Sequence, residues 1–211
     1  MSADTASTKS ILIPALSTSL CLSFANTLFW RGRATPTETL QTPVDLLGWL
    51  QTSAGVHTSE LRLLTAQEAA QLLAGGIIMR EALYGIFSAL AAGSPPPRPD
   101  FATLQRSLAN APARRRIAKL TSGHAWEIAQ PVPTSPPDVL AAHVLAPVLW
   151  SAGDLLVGGA QYRVRRCAND ACLWLFLDES KNATRRWCDM ASCGNRAKAR
   201  RHYLRTKGVV A

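Results

Sequence analysis

The stretch Cys167-Ala-Asn-Asp-Ala-Cys172, followed fifteen residues later by Cys188-Asp-Met-Ala-Ser-Cys193, decides the fold of the C-terminal part of the chain. Each half separates two thiols by four residues, a spacing with which one turn can direct both sulfurs at a single metal ion. Four thiolates are a complete tetrahedral donor set for Zn²⁺ and leave no position for a catalytic water. The spacing therefore predicts one structural Zn²⁺ held by Cys167, Cys172, Cys188 and Cys193.

Other chemistries use the same four cysteines. Two disulfides, four unrelated free thiols and an iron–sulfur cluster stay open as alternatives. Clustered cysteines form disulfides outside the cell, whereas inside it they usually bind metal. The apolar stretch over residues 11–25 is interrupted by Pro14 and by the run Ser17-Thr18-Ser19, which is not typical of a secretion signal. We therefore expect a cytoplasmic protein with reduced cysteines.

The residues around the cysteines predict a hairpin and a helix. Residues 162–166 and 173–177 resemble strands, which places the first cysteine pair on the turn between them. Residues 194–205 predict a helix, and Cys193 lies at its start, where the helix dipole favours a thiolate. A hairpin turn combined with a helix N-terminus is the treble-clef arrangement. Such a short segment has few large apolar residues, so we expect the metal to supply much of its folding energy.

Positive charge is concentrated in the same region. The chain has 211 residues and a formal net charge of +9. Residues 161–211 hold twelve Lys and Arg against four Asp and Glu, a net of +8. Four thiolates and one Zn²⁺ reduce this by two, to about +6. A compact cationic surface suits the phosphates of nucleic acid, and seven residues are predicted to contact DNA: Arg185, Arg186, Arg196, Lys198, Arg200, Arg201 and Arg205.

Some arginines have a second role to fill. Thiolate sulfurs bound to a metal accept hydrogen bonds from neighbouring cations, and we assign Arg165, Arg166 or Arg196 to that role before the others. Two further uses of the basic region stay open. The helix can be a solvated surface that keeps the protein soluble, or it can contact another protein.

The fold class is predicted as mainly α with a minor β component. Residues 1–159 form a helical domain, residues 160–211 a small treble-clef-like finger, and Gly158-Gly159 the hinge between them. Thr42-Pro43 and the capping-box pattern Thr65-Ala-Gln-Glu68 mark two helix starts, and Gly75-Gly76 is predicted to bend the second helix. The predicted helices are a ten-residue segment after Thr42 and residues 65–92, 99–110 and 138–158. The predicted strands of this domain are residues 20–26, 117–120 and 124–129, and residues 131–137 are a linker.

The N-terminal domain shows no catalytic constellation. Its histidines, His57, His124 and His143, have no cysteine, acid pair or phosphate loop beside them in sequence, so we expect no enzyme. We interpret His143 as a hydrogen-bonded core residue and Cys21 as a packed residue without chemistry. The run Arg114-Arg115-Arg116 is interpreted as a solvated edge or a helix end rather than as a phosphate site.

Residues 139–159 are apolar and long enough to cross a membrane. His143, Pro147 and Asp154 are costly in lipid and ordinary in a buried helix. We therefore expect a core helix and no membrane partner.

Two sets of residues carry a resemblance to known families. Cys188-Asp-Met-Ala-Ser-Cys193-Gly194-Asn195-Arg196, preceded by Phe176-Leu-Asp178 and Arg185-Arg186-Trp187, closely resembles the CGNR zinc finger. Leu22-Ser-Phe24-Ala-Asn26-Thr27 and Leu46-Leu47-Gly-Trp49-Leu50 resemble the start of the ABATE domain, which usually precedes that finger. The chain departs from the family at Ser23, where an acid is usual, and at Leu173, where a glycine usually follows the second cysteine.

The resemblance implies that the four cysteines are zinc ligands and that the protein is a stress-responsive transcription regulator. Together with the basic finger, it predicts DNA binding by the finger and a helical domain that senses a small-molecule effector or forms a homodimer. The alternative is a small-molecule-binding or enzymatic helical domain whose zinc tail is purely structural or contacts another protein.

Overall fold

The computed structural model describes residues 10–14, 16–56, 64–129 and 135–207. Seven α-helices and three small antiparallel sheets occur within these ranges, so the fold is mainly α with a minor β component, as predicted. The helices are α1 Leu20–Ala25, α2 Pro43–Ala54, α3 Ala66–Ala91, α4 Arg98–Asn110, α5 Pro137–Val144, α6 Ala146–Val157 and α7 Asn195–Thr206. The strands are β1 Ser10–Ile13, β2 Leu28–Phe29, β3 Thr37–Glu38, β4 Arg116–Lys119, β5 His124–Ala129, β6 Val164–Arg166 and β7 Leu175–Leu177.

The long helix α3 is the centre of the body. Its N-terminus is fixed by the predicted capping box, in which the Thr65 hydroxyl accepts from the backbone N–H of Glu68 while the Glu68 carboxylate accepts from the N–H of Thr65. The helix continues through Gly75 and Gly76. A Cβ on Gly75 would lie 3.2 Å from Ala141 of α5, and a Cβ on Gly76 would lie 3.0 Å from Leu46 of α2. These glycines therefore let two neighbouring helices approach closely.

The strand predicted over residues 20–26 is wrong, because this segment forms α1. Leu20, Leu22 and Phe24 alternate along the chain, which suggested one buried face. Cys21 and Ala25 are buried as well, so five of the six residues of the segment are covered, with α3, α6 and β7 packed against it. A six-residue helix whose only exposed position is Ser23 has almost no polar face, and its sequence therefore carries little helical periodicity.

The single helix predicted over residues 138–158 is also wrong. The segment forms α5 and α6, which meet at Leu145 with a bend of 69°. Pro147 explains the break, because its ring clashes with the carbonyl one turn earlier and its nitrogen cannot donate. Proline is accommodated in the first turn of a new helix, which is its place in α6.

Two apolar segments of the described chain meet the length and composition criterion for crossing a membrane. They are α3 and the bent pair α5 and α6 taken together. Core helices meet the same criterion, and all three helices bury side chains in the main core.

The predicted hairpin of β4 and β5 is confirmed, and β1 adds a third strand that the sequence did not predict, in the order β1-β5-β4. Ile13 and Ile128 of this sheet pack with Ala146 and Trp150 of α6 in a small second core. The predicted linker over residues 131–137 lies largely outside the described residues, and α5 begins at Pro137.

The main core continues into the C-terminal region. Val164 of β6 and Leu175 of β7 are buried in the same cluster as the side chains of α1 and α3. The chain enters this region through Gly159, whose φ of +77° is in the left-handed range that favours glycine. A short turn over Ala160–Arg163 then leads into β6. The strand predicted over residues 162–166 therefore begins two residues later than expected, at Val164.

Candidate metal centre

The four predicted ligands lie together at the end of the β6-β7 hairpin and before α7. The sulfur atoms of Cys167, Cys172, Cys188 and Cys193 are all within 4.8 Å of one another. Cys172 Sγ lies 3.7 Å from Cys188 Sγ, which lies 3.8 Å from Cys193 Sγ. A tetrahedral ion with Zn–S bonds of about 2.3 Å requires sulfurs about 3.8 Å apart. The residues fit a single Zn²⁺.

The same distances remove the alternatives. A disulfide needs sulfurs about 2.05 Å apart, and all four cysteines are free. A cluster of several irons attaches its thiolates to different metal atoms and holds them farther apart than this group. A complete set of four thiolates also leaves no open position on the ion. The ion is therefore structural.

Asn169 builds the turn that carries the first cysteine pair. Its backbone carbonyl accepts from the N–H groups of Cys172 at 2.8 Å and Leu173 at 3.1 Å. Its side-chain oxygen accepts from the N–H of Ala171 at 3.1 Å, and its side-chain nitrogen donates to Cys193 Sγ at 3.4 Å. One side chain thus shapes the first turn and connects it to the second pair.

Arg165 and Arg166 do not take the role assigned to them. Arg165 donates to the carbonyls of Tyr162 and Val164, and Arg166 donates to the hydroxyl of Ser88 on α3. These bonds keep both guanidinium groups on other partners, so the expectation that they would bond the sulfurs is wrong. Arg196, the third candidate, lies against the Trp30 ring, and the side chain that bonds a sulfur is the neutral amide of Asn169, which a search for cations overlooks.

The second cysteine pair lies in a wide turn over Met190–Gly194 that leads directly into α7. Asp189 caps the turn by accepting from the N–H of Ser192 at 2.7 Å. Gly194 is buried, and a Cβ there would lie 2.7 Å from Met190 Sδ. Cys193 consequently lies immediately before the helix, close to its predicted place.

The neighbouring thiols shift one another's pKa values in opposite directions. The hydrogen bond with the Cys188 thiol lowers the pKa of Cys172 to about 5, and the same interaction raises the pKa of Cys188. Burial raises the pKa of Cys167. A metal ion is the partner that stabilises all four groups as thiolates. Cys21, in contrast, lies away from this cluster and is fully buried in the core, as expected for a packed residue, and burial raises the pKa of its thiol to about 12.

A loop of the body is fitted against the first turn. The N–H of Gly32 donates to the carbonyl of Ala171 at 3.3 Å, and a Cβ on Gly32 would lie 1.6 Å from the carbonyl oxygen of Asp170. Only glycine allows this approach. Beside it, Tyr84 of α3 donates its hydroxyl to the carbonyl of Leu173 at 3.0 Å. Both contacts connect the body to the backbone of the metal centre.

A partly buried ion network, with buried arginines and more exposed carboxylates, stands behind Tyr84. Arg80 is 2% exposed and bonds Glu38 at 2.5 Å and Glu81 at 2.8 Å. Glu81 also bonds Arg31 at 2.7 Å, and the Arg31 guanidinium lies 3.8 Å from the centre of the Tyr84 ring. Each charge has an opposite partner, which is the condition under which charged groups are buried without a large cost. The network had no sequence signal, because its members are far apart along the chain.

The two predicted DNA-binding residues before the second cysteine pair differ in their surroundings. Arg185 donates to the carbonyls of Trp187 and Cys188, and its guanidinium lies 4.6 Å from the centre of the Phe176 ring. Arg186 lies 5.5 Å from the centre of the Trp187 ring. Both side chains are exposed. Arg185 therefore helps to hold the loop in place.

The structure brings three of the predicted α7 residues together. Arg196, Arg200 and Arg201 line one cavity of about 300 Å³, opposite Asn169 and Trp187. Arg196 also lies 4.8 Å from the centre of the Trp30 ring of the body. Lys198 and Arg205 are exposed and do not line this cavity.

Comparison with known families agrees with this architecture. Residues 163–206 match the model of the CGNR zinc finger. Residues 18–159, about two thirds of the chain, match the ABATE model, described as "Putative stress-induced transcription regulator". The chain belongs to the ABATE family. A search of curated proteins found no match. The predicted resemblance to both families is thus confirmed.

One departure of this ABATE protein from its family has a structural reason. Leu173 has a φ of +58°, in the left-handed range that glycine adopts freely. Glycine is therefore the residue expected at this turn, and Leu173 is held there by the bonds to Asn169 and Tyr84. Ser23 is exposed and donates its hydroxyl to the carbonyl of Ser19, which is a local helix contact.

Proposed function

We propose that this ABATE protein regulates transcription by binding DNA through α7 of its zinc finger. The observation that carries the proposal is the character of α7. It has no buried side chain and no acidic residue, although it lies directly after the zinc ligand Cys193. Its half-buried apolar side chains are Ala197 and Leu204, and most of its remaining surface is cationic. A helix with so little apolar surface and no internal ion pair gains little from its own protein. A polyanion supplies the missing partner.

No residue of α7 makes an ion pair within the described part of the chain, although Asp170 lines the same cavity as three of its arginines. The ion pairs found there involve Arg31, Arg80, Arg114 and Arg116 of the body. None of them involves a residue of α7. Phosphate groups of DNA can therefore bind these side chains without first breaking an ion pair, and the release of counterions from DNA favours the complex.

The distribution of the cations around α7 fits a helix inside a groove. Arg196, Arg200 and Arg201 lie along the side that faces the first zinc turn, and Lys198 and Arg205 lie outside that cavity. A helix in the major groove has a phosphate backbone on both sides, so cations on more than one face are useful there. Arg186 extends the surface to phosphates beside the finger, and Arg185 orders the loop that presents it.

The compartment and the role of the body form the rest of the proposed function. The protein acts as a non-enzymatic regulator in the cytoplasm, where zinc-bound thiolates stay reduced. The body provides effector sensing or homodimerisation, and two fingers in a dimer would read two half-sites.

A binding experiment with the full-length zinc-loaded protein tests this function. Duplexes are first selected from a pool of genomic fragments, and affinity is then measured by fluorescence anisotropy at several salt concentrations. We expect Arg200→Glu with Arg201→Glu to weaken binding at least tenfold, and to lower the slope of log affinity against log salt by about two.

The matched control reverses two exposed arginines on α4, Arg98→Glu with Arg106→Glu. This pair makes the same change in net charge on the body. If DNA affinity falls equally in both double variants, or in neither, α7 is not the DNA-binding element.

A further inference from the structure

A second cavity lies in the body, away from the metal centre. Its volume is about 680 Å³, within the range of about 300 to 1,000 Å³ that is usual for small-molecule sites. It is bounded by the end of α4, the segment that follows it, β4, β5 and α6. Seven lining residues are apolar and four are charged: Leu108, Ala109, Ala111, Pro112, Ala113, Ile128 and Trp150, with Arg114, Arg115, Arg116 and Glu127.

Two of the three arginines at this cavity are neutralised by the protein. Arg114 makes a two-pronged ion pair with Asp154 of α6, with N–O distances of 2.7 and 2.8 Å. Arg116 bonds Glu127 at 3.3 Å, because the two residues are opposite each other in the β4-β5 register. Both pairs fix side chains at the wall of the cavity.

Arg115 is different from its neighbours. In the part of the chain that the structure describes, it makes no ion pair and no hydrogen bond, and it is exposed. The charges of the lining therefore leave one uncompensated cation. A guanidinium in this position binds a carboxylate through two parallel hydrogen bonds.

The apolar part of the cavity has an aromatic wall. Trp150 is 5% exposed and is held on one side by Arg114, whose guanidinium lies 5.1 Å from the centre of the ring. Ile128 is almost fully buried beside it. These two side chains are already shielded from water and form a rigid apolar floor, so a ligand with a flat or branched apolar body removes water mainly from Leu108 and the alanines of the lining.

The geometry points to a binding site for a small monoanion with an apolar body, an aromatic or branched aliphatic carboxylate, in this cavity. The carboxylate binds Arg115, and the apolar part packs against Leu108, Ile128 and Trp150. The single free charge selects a monoanion over a polyphosphate, which would require several cations. The lining contains no residue of α7, so this assignment does not depend on DNA binding by the finger.

Isothermal titration calorimetry with the full-length zinc-loaded protein tests the site. The probes are benzoate, naphthalene-2-carboxylate and the neutral naphthalene-2-carboxamide. We expect at least one carboxylate to bind with a Kd below a millimolar value, and the amide to bind at least tenfold more weakly than its acid. Failure of both carboxylates to bind, or equal binding of acid and amide, overturns the assignment.

Three variants locate the bound probe, and their folding is checked by thermal melting. Arg115→Glu should weaken carboxylate binding at least tenfold, whereas Arg98→Glu, the same charge reversal elsewhere on the body, should leave it within twofold. Ala109→Trp, at an exposed alanine of the lining, should block binding without a change in charge. Unchanged binding in Arg115→Glu or in Ala109→Trp places the probe elsewhere and overturns the proposal.

Discussion

The side chain of Asn26 makes both hydrogen bonds of a strand neighbour with Leu175, 149 residues away. Its amide nitrogen donates to the carbonyl of Leu175 at 2.8 Å, and its oxygen accepts from the N–H of Leu175 at 2.9 Å. Asn26 ends α1 of the ABATE domain, and Leu175 lies in β7 of the zinc finger. Both residues are buried, so the pair connects the two family segments at the level of the core.

Replacement of Asn26 by alanine should be costly. It leaves two buried backbone groups of Leu175 without partners, at about 1 to 3 kcal/mol each. We expect the free energy of unfolding of the zinc-loaded protein to fall by about 2 to 4 kcal/mol in a urea titration. Asn110→Ala removes a single contact, with Asp138, and is the control. Equal losses in the two variants would contradict the role of Asn26.

The left-handed backbone at Leu173 gives a second prediction. Leu173→Gly removes backbone strain of about 1 to 2 kcal/mol and loses the packing of a half-buried side chain, so stability should change by less than about 1 kcal/mol. Leu173→Val should cost more than about 2 kcal/mol, because a β-branched residue fits this conformation poorly. Leu177→Val, in the extended strand β7, is the control and should be mild. Similar thermal stability of the two valine variants would refute the prediction.

Removal of zinc should destabilise more than the finger. Val164 and Leu175 of the hairpin belong to the main core, so loss of the metal opens a surface that α3 covers. We expect a chelator to lower the free energy of unfolding by about 5 kcal/mol or more, and to accelerate hydrogen exchange at the buried amides of α3. The chelator presaturated with zinc is the control. Unchanged hydrogen-exchange protection of α3 in the metal-free protein would show that the body is stable without the metal centre.

The ion network beneath Tyr84 predicts a pH dependence. Burial opposes ionisation of Glu38, but its bonds with Arg80 outweigh burial and hold its pKa below the ordinary 4.5. A lowered pKa in the folded state stabilises the protein above pH 4.5, and this contribution is lost as the pH falls through the folded-state value.

The test compares the wild type with Glu38→Gln by chemical denaturation across pH 3 to 7. We expect a difference in unfolding free energy of about 1 to 3 kcal/mol at neutral pH, shrinking as the solution becomes more acidic than pH 4.5. Zinc loss at low pH affects both proteins and cancels in the difference. Glu179→Gln, at an exposed loop residue, should show no such trend. If the difference in unfolding free energy between the wild type and Glu38→Gln does not change with pH, the Glu38 carboxylate is not the source of the pH dependence.

Substitution of Arg185 should affect the stability and zinc retention of the finger more than substitution of Arg186. Arg185→Gln loses donors to two carbonyls beside Cys188 and the contact with Phe176, so we expect a loss of about 1 kcal/mol and faster zinc transfer to a chromophoric chelator. Arg186→Gln should change both quantities little. Equal zinc transfer rates in the two variants would mean that Arg185 does not order the loop.

The sequence contained the local features of the fold. Capping residues at Thr42 and Thr65 marked two helices correctly, since these signals depend on hydrogen bonds within one turn. The four cysteines identified the metal centre, because a tetrahedral ion needs a complete donor set within short spacings.

Features that depend on distant parts of the chain were missed. α1 was predicted as a strand because neighbours cover all of its residues except Ser23, which leaves too small a polar face for a helical periodicity. The bonds of Asn26 with Leu175 join residues that only the tertiary structure brings together. Asn169 was passed over because hydrogen bonding to a zinc thiolate was expected from a cation, and a neutral amide performs it.

The close fit of Gly32 against Asp170 limits which zinc fingers can be exchanged for the one in this protein. Many zinc fingers are modular cassettes that can be transplanted or recombined, because each carries its complete set of contacts. Here the finger lacks part of its own interior, and the body supplies it. A chimera that joins another finger after Gly159 would therefore need a matching surface around residues 26–32.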